Sequence, residues 1–151
     1  MLQKIVLFPG SFDPYTIGHH DLVLRSLTLF DRIIIGIGKN SQKQRTFEEG
    51  WVIDKLHKLY QPFPQISVEV YEGLTAEFAK SKQAHFILRG LRNTIDFEYE
   101  NPIANGNKFV YPELETVFLI TKPEFSMVSS TIVRDLYRYG KDISQFLPFK
   151  E

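Results

Sequence analysis

The segment Pro9-Gly10-Ser11-Phe12-Asp13-Pro14-Tyr15-Thr16-Ile17-Gly18-His19-His20 gathers residue types that handle anions. Gly10 lets the backbone approach a ligand closely, and Gly18 permits a tight entry into a following helix. A helix that starts here points free N–H groups, and the positive end of its dipole, beyond the preceding strand. His19 stands at that entrance and can donate an imidazole N–H to the same anion. The segment also reads as an ordinary connection between strand and helix, and composition alone does not separate the two.

Other cationic and hydroxylic residues recur where a phosphate could use them. Arg89 and Arg92 follow a short apolar run, and a guanidinium suits phosphate oxygens through paired hydrogen bonds. Ser129, Ser130 and Thr131 open the last helical pattern, where hydroxyls and N–H groups can hold phosphates or simply cap the helix. Arg134, a turn further on, can reach a phosphate or pair with an acid. Lys43 lies in Lys39-Asn40-Ser41-Gln42-Lys43-Gln44-Arg45, which by itself reads as a solvated basic loop. His57 and His85 read as surface or packing residues. The absence of cysteine excludes a disulfide scaffold, a thiolate zinc site and a cysteine nucleophile. There is no dense carboxylate cluster, so no protein metal-ligand set is expected, and Asp13 reads as ordering its loop.

The elements that must position these groups alternate. Strands are expected at Ile5 to Phe8, Arg32 to Gly38, Ile66 to Val70, His85 to Leu88 and Thr116 to Ile120. Helices are expected from Asp21 to Phe30, from a capping box at Thr46 to about Tyr60, from a Thr75 cap through Lys80, and from Ser129 or Ser130 through Tyr139. The stretch from Thr94 to Tyr111, with Pro102 and Gly106, resists assignment. This alternation predicts an α/β fold, a doubly wound parallel sheet in one domain spanning 1–151. In such sheets ligands bind beyond the carboxyl ends of the strands. The 151 residues carry 18 Lys+Arg and 18 Asp+Glu, a balance that argues against a protein coating nucleic acid through bulk charge. The apolar runs are too short for a signal-peptide core or a membrane span, so a cytoplasmic, non-membrane protein is expected.

Thr16-Ile17-Gly18-His19 resembles the (T/H)xGH signature of the nucleotidylyltransferase superfamily. Arg89-Gly90-Leu91-Arg92 followed by Asp96-Phe97-Glu98-Tyr99-Glu100 resembles the RGLR…DFEYE segment of the pantetheine-phosphate adenylyltransferases. Val128-Ser129-Ser130-Thr131-Ile132-Val133-Arg134 resembles that family's ISSTxxR motif, and Pro9 to Pro14 its PG(S/T)FDP loop. The resemblance runs in order along nearly the whole chain.

It implies a Rossmann-like nucleotidylyltransferase fold and transfer of AMP from ATP to 4′-phosphopantetheine, giving dephospho-CoA and pyrophosphate. It implies Mg2+ accompanying ATP, a homohexamer, and possible feedback by coenzyme A. By the same resemblance His19, Lys43 and Arg92 are the expected catalytic residues. Ser11, Lys43, Thr75 and Arg89 would hold 4′-phosphopantetheine. ATP would meet Ser11, Phe12, His19, Gly90, Leu91, Arg92 and Glu100 on one side. On the other it would meet Phe125, Ser126, Met127, Val128, Ser129, Ser130 and Thr131. Arg134 is expected to join the phosphate-facing cations, and Glu48, Glu49, Asp54 and Glu69 to face elsewhere. The attacking phosphate is already anionic, so such a reaction needs positioning and charge stabilisation rather than a protein nucleophile. Arg89-Gly90-Leu91-Arg92 and the DFEYE segment argue against transfer to nicotinamide mononucleotide or glycerol 3-phosphate.

Overall fold

Five short runs rich in β-branched residues form one parallel sheet in the computed structural model, which describes residues 2–150. The strands are β1 (Ile5–Gly10), β2 (Arg32–Gly38), β3 (Ile66–Tyr71), β4 (Phe86–Leu91) and β5 (Glu115–Ile120), in spatial order β3-β2-β1-β4-β5. Between them lie helices α1 (Ile17–Ser26), α2 (Glu49–Tyr60), α3 (Thr75–Ser81) and α4 (Thr94–Val110), with α5 (Ser130–Arg138) after β5.

Strand alternation divides the core in two. Val6, Phe8, Ile33, Ile35 and Leu88 join Leu22 of α1, Leu56 of α2 and Val133 of α5 on one face. Ile5, Leu7, Ile34 and Ile87 meet Ala76 and Ala79 of α3 on the other. Both faces are therefore covered, and the central strands β1 and β2 read as near-continuous apolar runs. The doubly wound parallel sheet is as expected.

The order reverses direction between β1 and β4. These two strands pair only at Val6↔Phe86 and Leu7↔Ile87, whereas β1 and β2 stay in register from Ile5↔Arg32 to Gly10↔Ile37. Beyond Leu7 and Ile87 the central ladder opens into a crevice, at the switch point where ligands bind in open α/β sheets.

Several local expectations needed revision. Helix α1 starts at Ile17, not Asp21, because Thr16 caps it. Glu48 caps α2 by accepting the N–H groups of Gly50 and Trp51 at 3.2 and 3.1 Å, so Thr46 is not the cap. Thr75 is inside α3, whose N-cap Leu74 makes no side-chain bond, and its hydroxyl instead meets the Tyr71 hydroxyl at 2.8 Å. As expected, Ser129 caps α5, accepting the Ile132 N–H at 3.2 Å, and the chain turns at Gly140 with φ +72°.

Candidate active site in the β1–β4 crevice

The T-x-G-H spacing has a structural reason. Thr16 is the N-cap of α1 and His19 is its third helical residue, so the two form a reciprocal capping box. The Thr16 hydroxyl accepts the His19 N–H at 3.4 Å, and His19 Nδ1 accepts the Thr16 N–H at 3.0 Å. Because Nδ1 must be an acceptor there, the neutral ring carries its proton on Nε2. Phe12 and Tyr15 flank the imidazole at centroid distances of 5.1 and 5.2 Å. Burial, with the nearby charges of Arg89 and then Arg92, pushes its pKa down to about 3. His19 is thus a fixed neutral donor at a helix N-terminus.

The crevice has a volume of about 320 Å3. Its walls come from Gly10 at the end of β1, from Ser11 and Phe12 in the turn after it, from His19, and from Arg89, Gly90 and Arg92. Val128, Ser129 and Ser130 close one side and Glu100 another. At Gly90 a Cβ would come within 2.5 Å of Leu22 Cδ1, so any other residue there must displace that side chain.

Both arginines are held by acids from α4. Arg89 donates from Nε and Nη2 to the two oxygens of the buried Glu100 at 2.9 and 2.6 Å, and from Nη1 to the Pro9 carbonyl at 2.6 Å. It therefore bridges β1 and β4 where their ladder ends. Arg92 donates its backbone N–H, Nε and Nη2 to Asp96 at 2.8, 3.0 and 3.1 Å. Burial works to raise the Asp96 carboxyl, but the Arg92 hydrogen bonds and charge, helped by Arg89, pull it below its ordinary value. Such forks fix guanidinium planes before a ligand arrives.

A larger cleft of about 910 Å3 opens on the other side of Ser11, which lines both. Lys39, Lys43, Arg45, Arg134 and Arg138 bring positive charge to it, against Asp13, Glu49 and Glu72. Glu49 was expected to face away, but it lines this cleft and pairs with Lys39 at 3.7 Å. Arg134 lies here and not in the crevice: it donates to the Asp13 carbonyl at 2.8 Å and the Thr131 hydroxyl at 3.2 Å.

Most expected site residues converge. Ser11, Phe12, His19, Arg89, Gly90 and Arg92 share the crevice with Glu100, Val128, Ser129 and Ser130. Lys43 meets it only across Ser11. Leu91, Phe125, Ser126, Met127, Thr131 and Thr75 line neither cleft, and Met127 is 75% exposed. Sequence reasoning missed Leu22, Asp96, Tyr99 and Thr121 as crevice walls and Arg45 as a loop tether. Asp96 and Tyr99 stood inside a noted motif, but nothing in their spacing assigned them a place.

A parallel sheet with a neutral histidine donor and two clamped arginines at its switch point defines a phosphate-binding protein of Rossmann-like fold. The family model described as cytidylyltransferase-like matches residues 7–136. By structure, a bifunctional NMN adenylyltransferase/ADP ribose pyrophosphatase from Francisella tularensis aligns with a TM-score of 0.74 at 15% identity. That alignment covers 99% of this chain and 46% of the other, and at such identity it speaks for the fold alone. By sequence, a phosphopantetheine adenylyltransferase from Cytophaga hutchinsonii is 52% identical over 149 residues, 99% of each chain. One from Bacteroides fragilis is 48% identical over 146 residues, 97% of each chain. The chain belongs to the phosphopantetheine adenylyltransferase family.

Proposed function

We propose that the protein transfers the adenylyl group of ATP to 4′-phosphopantetheine, releasing pyrophosphate and giving dephospho-CoA, the penultimate step of coenzyme A synthesis. The observation that carries this reading is the fixed Nε2–H of His19 at the α1 N-terminus, facing Arg89 and Arg92 across one crevice. A phosphate oxygen of the acceptor attacks the α-phosphorus of ATP. That new P–O bond forms as the bond from the α-phosphorus to the bridging oxygen breaks, and the electron pair leaves with pyrophosphate. No proton need be removed from the nucleophile.

His19 donates to the α-phosphate oxygen on which charge builds. Lys43, Ser11 and Arg89 hold the acceptor phosphate, with Thr75 toward the acceptor's arm. Arg92, Ser129 and Ser130 receive the leaving pyrophosphate, with Thr131 on the same helix start but outside the crevice. Phe12, Gly90 and Val128 complete the ATP side within the crevice, and Leu91, Phe125, Ser126 and Met127 would meet ATP only beyond its walls. Glu100 acts by orienting Arg89 for the acceptor phosphate, since both its oxygens are engaged by that guanidinium.

Among the described residues no three His, Cys, Asp or Glu side chains group to hold a metal ion. The crevice carboxylates, Asp96 and Glu100, are engaged by arginines. We treat Mg2+ as arriving with ATP, held by its phosphates and water. Coenzyme A contains the product's structure and would compete for the same clefts, so feedback by it belongs to this reading, as does a cytoplasmic location. No helix among the described residues is long and apolar enough to cross a membrane.

A homohexamer is part of the proposal too. Helix α4 buries Glu100 alone among its residues while Ile95, Tyr99, Ile103 and Phe109 stand exposed. An apolar face of that kind suits packing against further copies of the chain.

The test is pyrophosphate release with ATP and 4′-phosphopantetheine, run beside ATP with nicotinamide mononucleotide and CTP with glycerol 3-phosphate. Turnover is expected with phosphopantetheine alone. Preference for either other acceptor would overturn the assignment.

A further inference from the structure

The loop after β2 carries Lys43, and residues 41–44 are exposed, so something must aim that lysine. Arg45, two residues on, is half-buried and reaches back to the turn after β1. It donates from Nη1 to the Ser11 carbonyl at 2.6 Å and from Nη2 to the Phe12 carbonyl at 3.0 Å, while Nε donates to the Phe47 carbonyl at 3.0 Å. The same two loops are joined in the reverse sense. Asp13 Oδ2 and Oδ1 accept the N–H groups of Thr46 and Phe47 at 2.9 and 2.7 Å.

The turn so held is an unusual one. Phe12 has φ +47°, a left-handed conformation that a bulky residue adopts only when its surroundings impose it. Its ring fills the space a Cβ on Gly10 would need, at 3.0 Å, and packs edge-on to His19. Ser11, next to it, lines both clefts. One guanidinium thus grips the turn that walls His19 and also anchors the loop bearing Lys43.

We propose that Arg45 is a positioning residue for the transfer: it locks the Lys43 loop to the Ser11–Phe12 turn, so that acceptor phosphate and α-phosphate meet in line. This rests on the reaction proposed above. Two successive carbonyls accept from two nitrogens of one planar group, a geometry an ammonium cannot reproduce. A shift of about 1 Å between reacting groups costs on the order of 100-fold in rate, which makes such a tether kinetically important.

The experiment compares native protein, Arg45→Ala and Arg45→Lys in steady-state turnover of ATP with 4′-phosphopantetheine, with and without added guanidinium ion. Both variants are expected to lose about 10- to 100-fold in kcat with KM for ATP changed less than about threefold. Free guanidinium is expected to restore kcat in Arg45→Ala, with no effect on the native protein. Full activity of Arg45→Lys, a loss confined to KM, or no rescue of Arg45→Ala would overturn the proposal. Failure of the native protein to turn over phosphopantetheine would instead overturn the reaction. The tether is then judged by hydrogen exchange: Arg45→Ala must accelerate exchange at Thr46 and Phe47, and unchanged exchange there would contradict it.

Discussion

His19 shows how a four-residue motif becomes chemistry. Its backbone is capped by Thr16, its Nδ1 is engaged by the Thr16 N–H, and its other nitrogen keeps the proton. The low pKa carries a consequence for stability. In the unfolded chain this imidazole takes up a proton near pH 6.5, while the folded one resists until about 3. Between those values the unfolded state binds more protons, so stability falls as pH drops through that window and is fully present above it. The slope from this residue is at most about 1.4 kcal/mol per pH unit. Urea unfolding at pH 7.5 and pH 5 should show a larger loss in native protein than in His19→Asn. Equal losses would mean that the ring protonates freely in the folded state. His20, whose pKa burial also lowers, is present in both proteins and pushes both the same way. At the same scale, Gly90→Ala drives a Cβ into Leu22, three residues beyond His19 on α1. A destabilisation of about 1–3 kcal/mol is expected, with a fall in kcat. Leu22→Ala in the same chain should recover part of the stability, and failure to recover would place the strain elsewhere.

At the scale of elements, what the sequence disclosed depended on whether the signal was local. Strand β2 was legible because burial on both faces leaves the run Ile33-Ile34-Ile35 without polar interruption, and the edge strand β3 through its alternation from Ile66 to Val70. The start of α5 was legible because Ser129 is a strong N-cap. Helix α4 was not, because Pro102 and Gly106 are helix penalties that a local reading cannot weigh against tertiary gains. Asn93 caps it by accepting the Asp96 N–H at 2.9 Å, and Glu100 and Asp96 tie it to the two arginines of β4 and its following turn. The misplaced caps of α2 and α3 have a similar origin. The Thr46 N–H is taken by Asp13, 33 positions away, and the Thr75 hydroxyl by Tyr71. Arg45 escaped notice for the same reason: its partners lie 34 and 33 positions back in the chain.

Across the whole molecule, equal numbers of acids and bases conceal a division of labour. Acids serve as clamps inside the site, Glu100 for Arg89 and Asp96 for Arg92, while Lys43, Arg134 and Arg138 line the neighbouring cleft. The sheet brings these groups to the carboxyl ends of its central strands because β1 and β4 part at the switch point. The exposed apolar residues of α4 belong to this scale as well. Sedimentation at micromolar concentration should report a hexamer, and Phe109→Glu with Ile103→Glu should shift it to smaller species. A native monomer would contradict the proposed assembly.

The account stands most directly on His19 as a group that favours the transition state over the ground state. Turnover of ATP and 4′-phosphopantetheine should be measured for native protein and His19→Ala, with ATP binding measured separately for each. The expected result is a native protein that turns over and a variant whose kcat falls by about 100- to 1,000-fold, with ATP affinity changed only a few-fold. Absence of native turnover, or a loss in ATP binding as large as the loss in kcat, would contradict it.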